Sequence, residues 1–294
     1  MTAHVANPAR HRRAVLVGLP LAVAVLAVAA PPTAWQIAAL APLVAVLGLP
    51  HGALDLELAS ALWPLERGRG QAIFASVYLG LTAAVIGLWS LAPGLGLGLF
   101  LAYSAVHFSD DWRGELAPPV RLLAGAAVVS APALAHLDEV GRLFAVLAPG
   151  PAAQVLAVVL QGTGVVAVVL LILAGATARR PPRGPALEIA LLVMAALLLP
   201  PLVYFLLYFC GVHSPRHFLG AASALGLRPA RAMRAAAPIA AVTLVGGLGA
   251  VVAMRGAGLG ADAVVLRSVF TGLAALTVPH MVLVDRFWRW SNGA

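Results

Sequence analysis

Apolar runs follow one another along almost the whole chain, separated by short turns rich in Arg, Pro and Gly. The clearest are Ala14 to Ala30, Trp35 to Leu62, Gln71 to Leu91, Leu95 to Trp112, Pro119 to Ala135, Ala152 to Ala176, Ala236 to Met254 and Ala263 to Val284. Such runs approach the roughly 20 residues that a helix needs to cross a hydrocarbon layer about 30 Å thick. Inside lipid every backbone N–H and C=O must be paired within the protein, and helices do this locally. The expected fold class is all-α, a polytopic transmembrane helix bundle of eight to ten spans. Composition closes off the main alternative. Of 294 residues, 62% are apolar and 10% charged, whereas a soluble domain carries about 25% charged residues. A chain so poor in charge cannot clothe a water-facing surface, which excludes a soluble enzyme on a single anchor.

The formal net charge of +8 points to the same setting. All 19 basic residues are Arg, and they sit in small clusters between apolar runs. That distribution is the mark of membrane topology, so a lipid bilayer and no nucleic acid is the expected partner. Residues 1–13 read as a basic cytoplasmic tail with Arg10, His11, Arg12 and Arg13. The run from Ala14 resembles a signal peptide, but Pro31 and Pro32 lead straight into the next run, so it reads as a first membrane helix that is kept. Residues 14–290 then form a single integral-membrane domain. Cys210 is the sole cysteine, so no intrachain disulfide forms and a buried thiol is expected.

The stretch from Ala186 to Leu227 is ambiguous, because it is broken by Pro200 and Pro201 and again by His213, Ser214, Pro215, Arg216 and His217. Two crossings that turn at the proline pair place nearly all arginines on one side, leaving Arg142, Arg255 and Arg267 opposite. This favours an even number of spans with both termini cytoplasmic, in a cell inner membrane.

Ionisable side chains inside membrane spans are costly and therefore informative. Five histidines qualify: His51, His107, His213, His217 and His280. The preferred topology puts all five in the cytoplasmic half, which suggests one site. A set of imidazoles without thiolates argues against a structural zinc of the cysteine type and toward a redox or oxygen-binding metal. His213 and His217 share a helix face if the helix is continuous. Ser214-Pro215, however, reads equally as an N-cap and first helical residue, which would break it. Asp55 follows His51, and Asp111 follows His107, by one helical turn, so each carboxylate is a candidate to orient a ring. His280 has Asp285 five residues on, and its reading as ligand, substrate-side residue or packing residue stays open. His4, His11 and His136 fall in a terminus or an outer loop and read as solvated. Tyr103, Phe108, Trp112, Tyr204, Tyr208 and Phe209 lie near these motifs, either lining a substrate tunnel or simply packing.

Four motifs carry a resemblance. They are Gly-Leu-Pro-His-Gly-Ala-x-Asp at 48–55, His-Phe-x-x-Asp at 107–111, His-Ser-Pro-Arg-His at 213–217 and Thr-Val-Pro-His-Met at 277–281. In order and spacing the chain resembles the bacterial Brp/Blh-type β-carotene 15,15′-dioxygenases, integral membrane enzymes associated with retinal supply for rhodopsins. The resemblance covers about Ala34 to Arg289. It implies a non-haem Fe(2+) centre held by four histidines, which map onto His51, His107, His213 and His217. It also implies O2-dependent cleavage of the central double bond of β-carotene or a related carotenoid to give two retinal molecules. Ser109 departs from the pattern, where Gly is expected after His-Phe. Two other readings use the same histidines: a haem-binding electron carrier, which would show a Soret band, and a proton-coupled transporter, against which no inverted repeat is visible.

Overall fold

The computed structural model describes residues 8–48, 50, 52–63, 65, 68–178, 182–256 and 258–293. Two of the histidines, His4 and His51, lie outside the described residues. Among the described residues all regular structure is helical and no strand occurs. In chain order the helices are α1 (Pro8–Ala29), α2 (Thr33–Leu43), α3 (Asp55–Leu62), α4 (Arg69–Leu91), α5 (Pro93–Ser109), α6 (Pro118–Ser130), α7 (Pro132–Ala135), α8 (Leu137–Leu147), α9 (Ala152–Thr177), α10 (Arg183–Leu198), α11 (Pro201–Tyr208), α12 (Ser214–Ala224), α13 (Pro229–Gly256) and α14 (Ala261–Gly293). Wider π-helical turns follow α2 (Val44–Gly48) and α11 (Phe209–His213), and a 3-10 turn (Asp110–Trp112) follows α5.

Among the described residues five helical stretches are long and apolar enough to cross a membrane: His11–Ala29, Arg69–Leu91, Ala152–Thr177, Pro229–Gly256 and Ala261–Trp290. Their outward faces are apolar as well. Val242, Val245, Leu248 and Val252 are exposed on α13, and Val165, Val166 and Ile172 on α9. Surfaces of this kind are stable against lipid and unstable against water, so the chain is a membrane protein.

Two of the expected spans are broken. The run from Trp35 to Leu62 is not one α-helix: α2 widens into the π-turn, residues 52–54 form turns, and α3 begins at Asp55. Pro50 has no N–H to carry the hydrogen-bond ladder through. Pro132 likewise parts α6 from α7. Helix α8, which was not anticipated, buries Val140, Gly141, Phe144 and Leu147 along one face. Its Asp138, Glu139 and Arg142 interrupt the apolar pattern, so no run marks this helix in the sequence. At Pro200-Pro201 the chain does break, with α10 ending at Leu198 and Pro201 opening α11.

The His-Ser-Pro-Arg-His motif, by contrast, does not interrupt the helix. Chain from Pro201 to Ala224 stays helical through the π-turn, which absorbs the carbonyl that Pro215 cannot serve. Ser214 is no N-cap. Its hydroxyl donates to the Leu47 carbonyl at 2.6 Å or the Gly48 carbonyl at 3.0 Å.

The chain divides into two compact units, one of Asn7–Ala38 and Pro93–His213, the other of Met1–Ala6, Ala39–Ala92 and Ser214–Ala294. In the first, Trp112, Val128, Leu192, Leu199, Tyr204 and Tyr208 form the centre of the core. Small residues let its helices approach closely, as membrane helices commonly do. A Cβ on Gly125 of α6 would collide with the Ala105 carbonyl of α5, so only glycine fits there. Arg12 of α1 donates to Glu188 of α10 at 2.8 Å and pairs with Glu115, and Glu188 is wholly buried. Burial of that carboxylate is tolerable because the guanidinium neutralises it. In the second unit, α14 packs on α3, α4 and α13. Its core includes Leu54, Leu58, Phe218, Ala222, Leu283 and Phe287.

Candidate functional site

Each unit builds one group of histidine, carboxylate and phenol. In the first, the contact of α6 with α5 sets the end of α5, where His107 occupies the last turn. The backbone then tightens into the 3-10 turn that carries Asp111. His213 closes the π-turn after α11, and Tyr208 ends α11 itself. All four side chains are buried. The His213 Nδ1 lies 3.1 Å from Asp111 Oδ1, and the Tyr208 hydroxyl donates to Asp111 Oδ2 at 2.7 Å. A carboxylate at Nδ1 holds the proton on that nitrogen and leaves a lone pair on Nε2. That Nε2 lies 3.1 Å from the Nε2 of His107.

This spacing is a test of whether a metal suits the pair. Two imidazoles bound at about 2.1 Å in adjacent positions, at right angles, have donor atoms about 3.0 Å apart. The observed separation fits, and the all-nitrogen donor pair suits Fe, Cu, Ni or Zn. The surroundings are aromatic: Phe108 meets the His213 ring edge-on at 4.6 Å and Phe209 stacks on it at 5.9 Å between centroids.

The second unit repeats the arrangement. Asp55 opens α3, Tyr78 lies on α4 and His280 on α14. His280 Nδ1 is 2.7 Å from Asp55 Oδ1, and the Tyr78 hydroxyl donates to Asp55 Oδ2 at 2.9 Å. His217 of α12 places its ring 5.1 Å from that of His280. Gly52 flanks the same ring, and a Cβ there would lie 3.8 Å from His280 Nδ1.

The carboxylates therefore act on distant rings. Asp111 accepts from His213, a residue 102 positions away, and Asp55 from His280, 225 positions away. The one-turn spacing after His51 and His107 announced neither. Asp285 pairs with Arg289 at 2.8 Å, so the five-residue spacing from His280 was a poor guide to its carboxylate. Tyr78 escaped notice, although a phenol within an otherwise apolar run was the available signal. Among the aromatic candidates, Tyr208 serves Asp111, Trp112 is wholly buried in the core, and Tyr204 donates to the Val128 carbonyl at 3.1 Å. Ser109 is buried with its hydroxyl donating to Val106 at 2.6 Å, within its own helix. Cys210 is buried and in no disulfide, as expected.

Comparison with known proteins identifies the family. The profile of a family described as β-carotene 15,15′-dioxygenase matches residues 42–288, a span that includes both groups. The chain belongs to that family. A relative named β-carotene 15,15′-dioxygenase, from the uncultured marine bacterium 66A03, is 32% identical over 255 residues, covering 84% of this chain and 92% of its own length. No solved structure matches the chain. Family membership makes this an enzyme of the carotene-cleaving class, and gives the buried imidazoles a chemical context.

Proposed function

We propose that this protein cleaves the central 15,15′ double bond of β-carotene, or a related carotenoid, with O2 at a non-haem Fe(2+) centre, giving two molecules of retinal. One C=C bond and one O2 are consumed and two aldehydes form, so the atoms balance. His51, His107, His213 and His217 are the proposed iron ligands. The observation that carries this reading is the His107/His213 pair, whose donor atoms have the separation of neighbouring ligands in a chain of this family.

Bound iron would supply the activation of oxygen. The protein's own part is positional. Asp111, steadied by Tyr208, holds His213 in one tautomer and one orientation. Phe108 and Phe209 cover the His213 ring and keep water from it. A hydrocarbon substrate partitions into lipid, and the apolar helix faces suit its arrival from the bilayer. Which double bond reacts is then a matter of how the polyene is held beside the ligands.

The same reading takes 14–290 as one integral-membrane oxygenase domain of eight to ten spans in the cell inner membrane. The 1–13 tail and both termini are then cytoplasmic, and the retinal product gives the enzyme a functional link to a retinal-binding rhodopsin.

Expression in a carotene-accumulating bacterial host tests the activity. The expected result is loss of colour with appearance of retinal. Single changes of His51, His107, His213 or His217 to Ala should abolish retinal and lower bound iron, and full activity in any two of them would remove the four-histidine assignment.

A further inference from the structure

We infer that His280 is a further imidazole iron ligand alongside its neighbour His217, held for that role by Asp55 and Tyr78. This rests on the iron reading above. The two units each build the same constellation. In each, a tyrosine hydroxyl donates to one oxygen of a buried aspartate, at 2.7 Å for Tyr208 and 2.9 Å for Tyr78. In each, a histidine Nδ1 meets the other oxygen, at 3.1 Å for His213 and 2.7 Å for His280. His280 therefore presents its Nε2 as a donor atom in the manner of His213.

A hydrogen bond that merely pinned α14 to α3 would not need a charged partner. Asp55 is only 3% exposed, and burying a carboxylate is costly unless positive charge compensates it. A cation on the far side of the imidazole does so, because it makes the Nδ1–H a stronger donor to Asp55. The neighbours agree. The His217 ring lies 5.1 Å from that of His280, so a second imidazole stands beside the first within the same unit.

The test uses the full-length protein in detergent, stripped by chelation and titrated anaerobically with ferrous iron. It reads the iron stoichiometry, the Kd and the electron paramagnetic resonance spectrum of the ferrous nitrosyl adduct. His280→Ala is expected to bind iron at least about tenfold more weakly, with an altered nitrosyl spectrum and partial recovery of affinity when imidazole is added. Wild-type Kd and spectrum in His280→Ala, alongside iron loss in His213→Ala, would overturn the inference and leave the iron reading standing. Wild-type protein that binds no iron would remove both. Should His280→Ala fail to fold, Asp55→Asn carries the test: a Kd weakened about tenfold supports the assignment, and an unchanged Kd and spectrum refute it.

Discussion

Asp111 holds two donors at once, the phenol of Tyr208 and the Nδ1–H of His213, and both of its partners lie about a hundred positions further along the chain. Partners of this kind set the orientation and basicity of a ligating ring, and their loss commonly weakens metal affinity 10–100-fold. Asp111→Ala is accordingly expected to lower ferrous iron affinity by roughly that factor, and Tyr208→Phe by less, as read by anaerobic titration. The histidines were legible in the sequence because an imidazole in an apolar run is conspicuous. Their carboxylate and phenol partners were not, since hydrogen bonds across distant helices leave no trace in local spacing. Tyr78 is the instructive case. It lies in a run that reads as a plain span, yet its hydroxyl serves Asp55.

At the level of the helices, the sequence located most apolar segments but not their interruptions. The run from Trp35 to Leu62 looked continuous because apolar residues fill it. The break comes from Pro50 and from a π-turn, whose Leu47 and Gly48 carbonyls accept from Ser214. The serine that resembled a helix cap thus satisfies another helix. Gly125 illustrates the reverse dependence of a site on its scaffold. With the Ala105 carbonyl against it, Gly125→Val must push α6 away from α5 and shift the turn that bears His107. Overpacking typically costs about 1–3 kcal/mol, and a collision with backbone belongs at the upper end. The expected outcome is a lower Tm in detergent together with reduced iron content, measured on the same preparation.

For the molecule as a whole, the decisive property is that its helices turn apolar faces outward. The protein should remain with the membrane fraction under alkaline carbonate and come away only with detergent. Purified protein is expected to carry non-haem iron and show no Soret band. A protein released by carbonate would contradict the membrane assignment, and a Soret band would favour the haem-binding electron carrier.

Long apolar runs and scarcity of charge determined from sequence alone that this chain is helical and lives in lipid, because continuous runs of about 20 apolar residues suit membrane helices, which pair their backbone locally. Motif order likewise led to the family. Which carboxylate holds which histidine was decided only by the tertiary structure. Those bonds depend on close helix approach, at places such as Gly125, and on π-turns that re-aim side chains, and neither is written in the spacing of neighbouring residues.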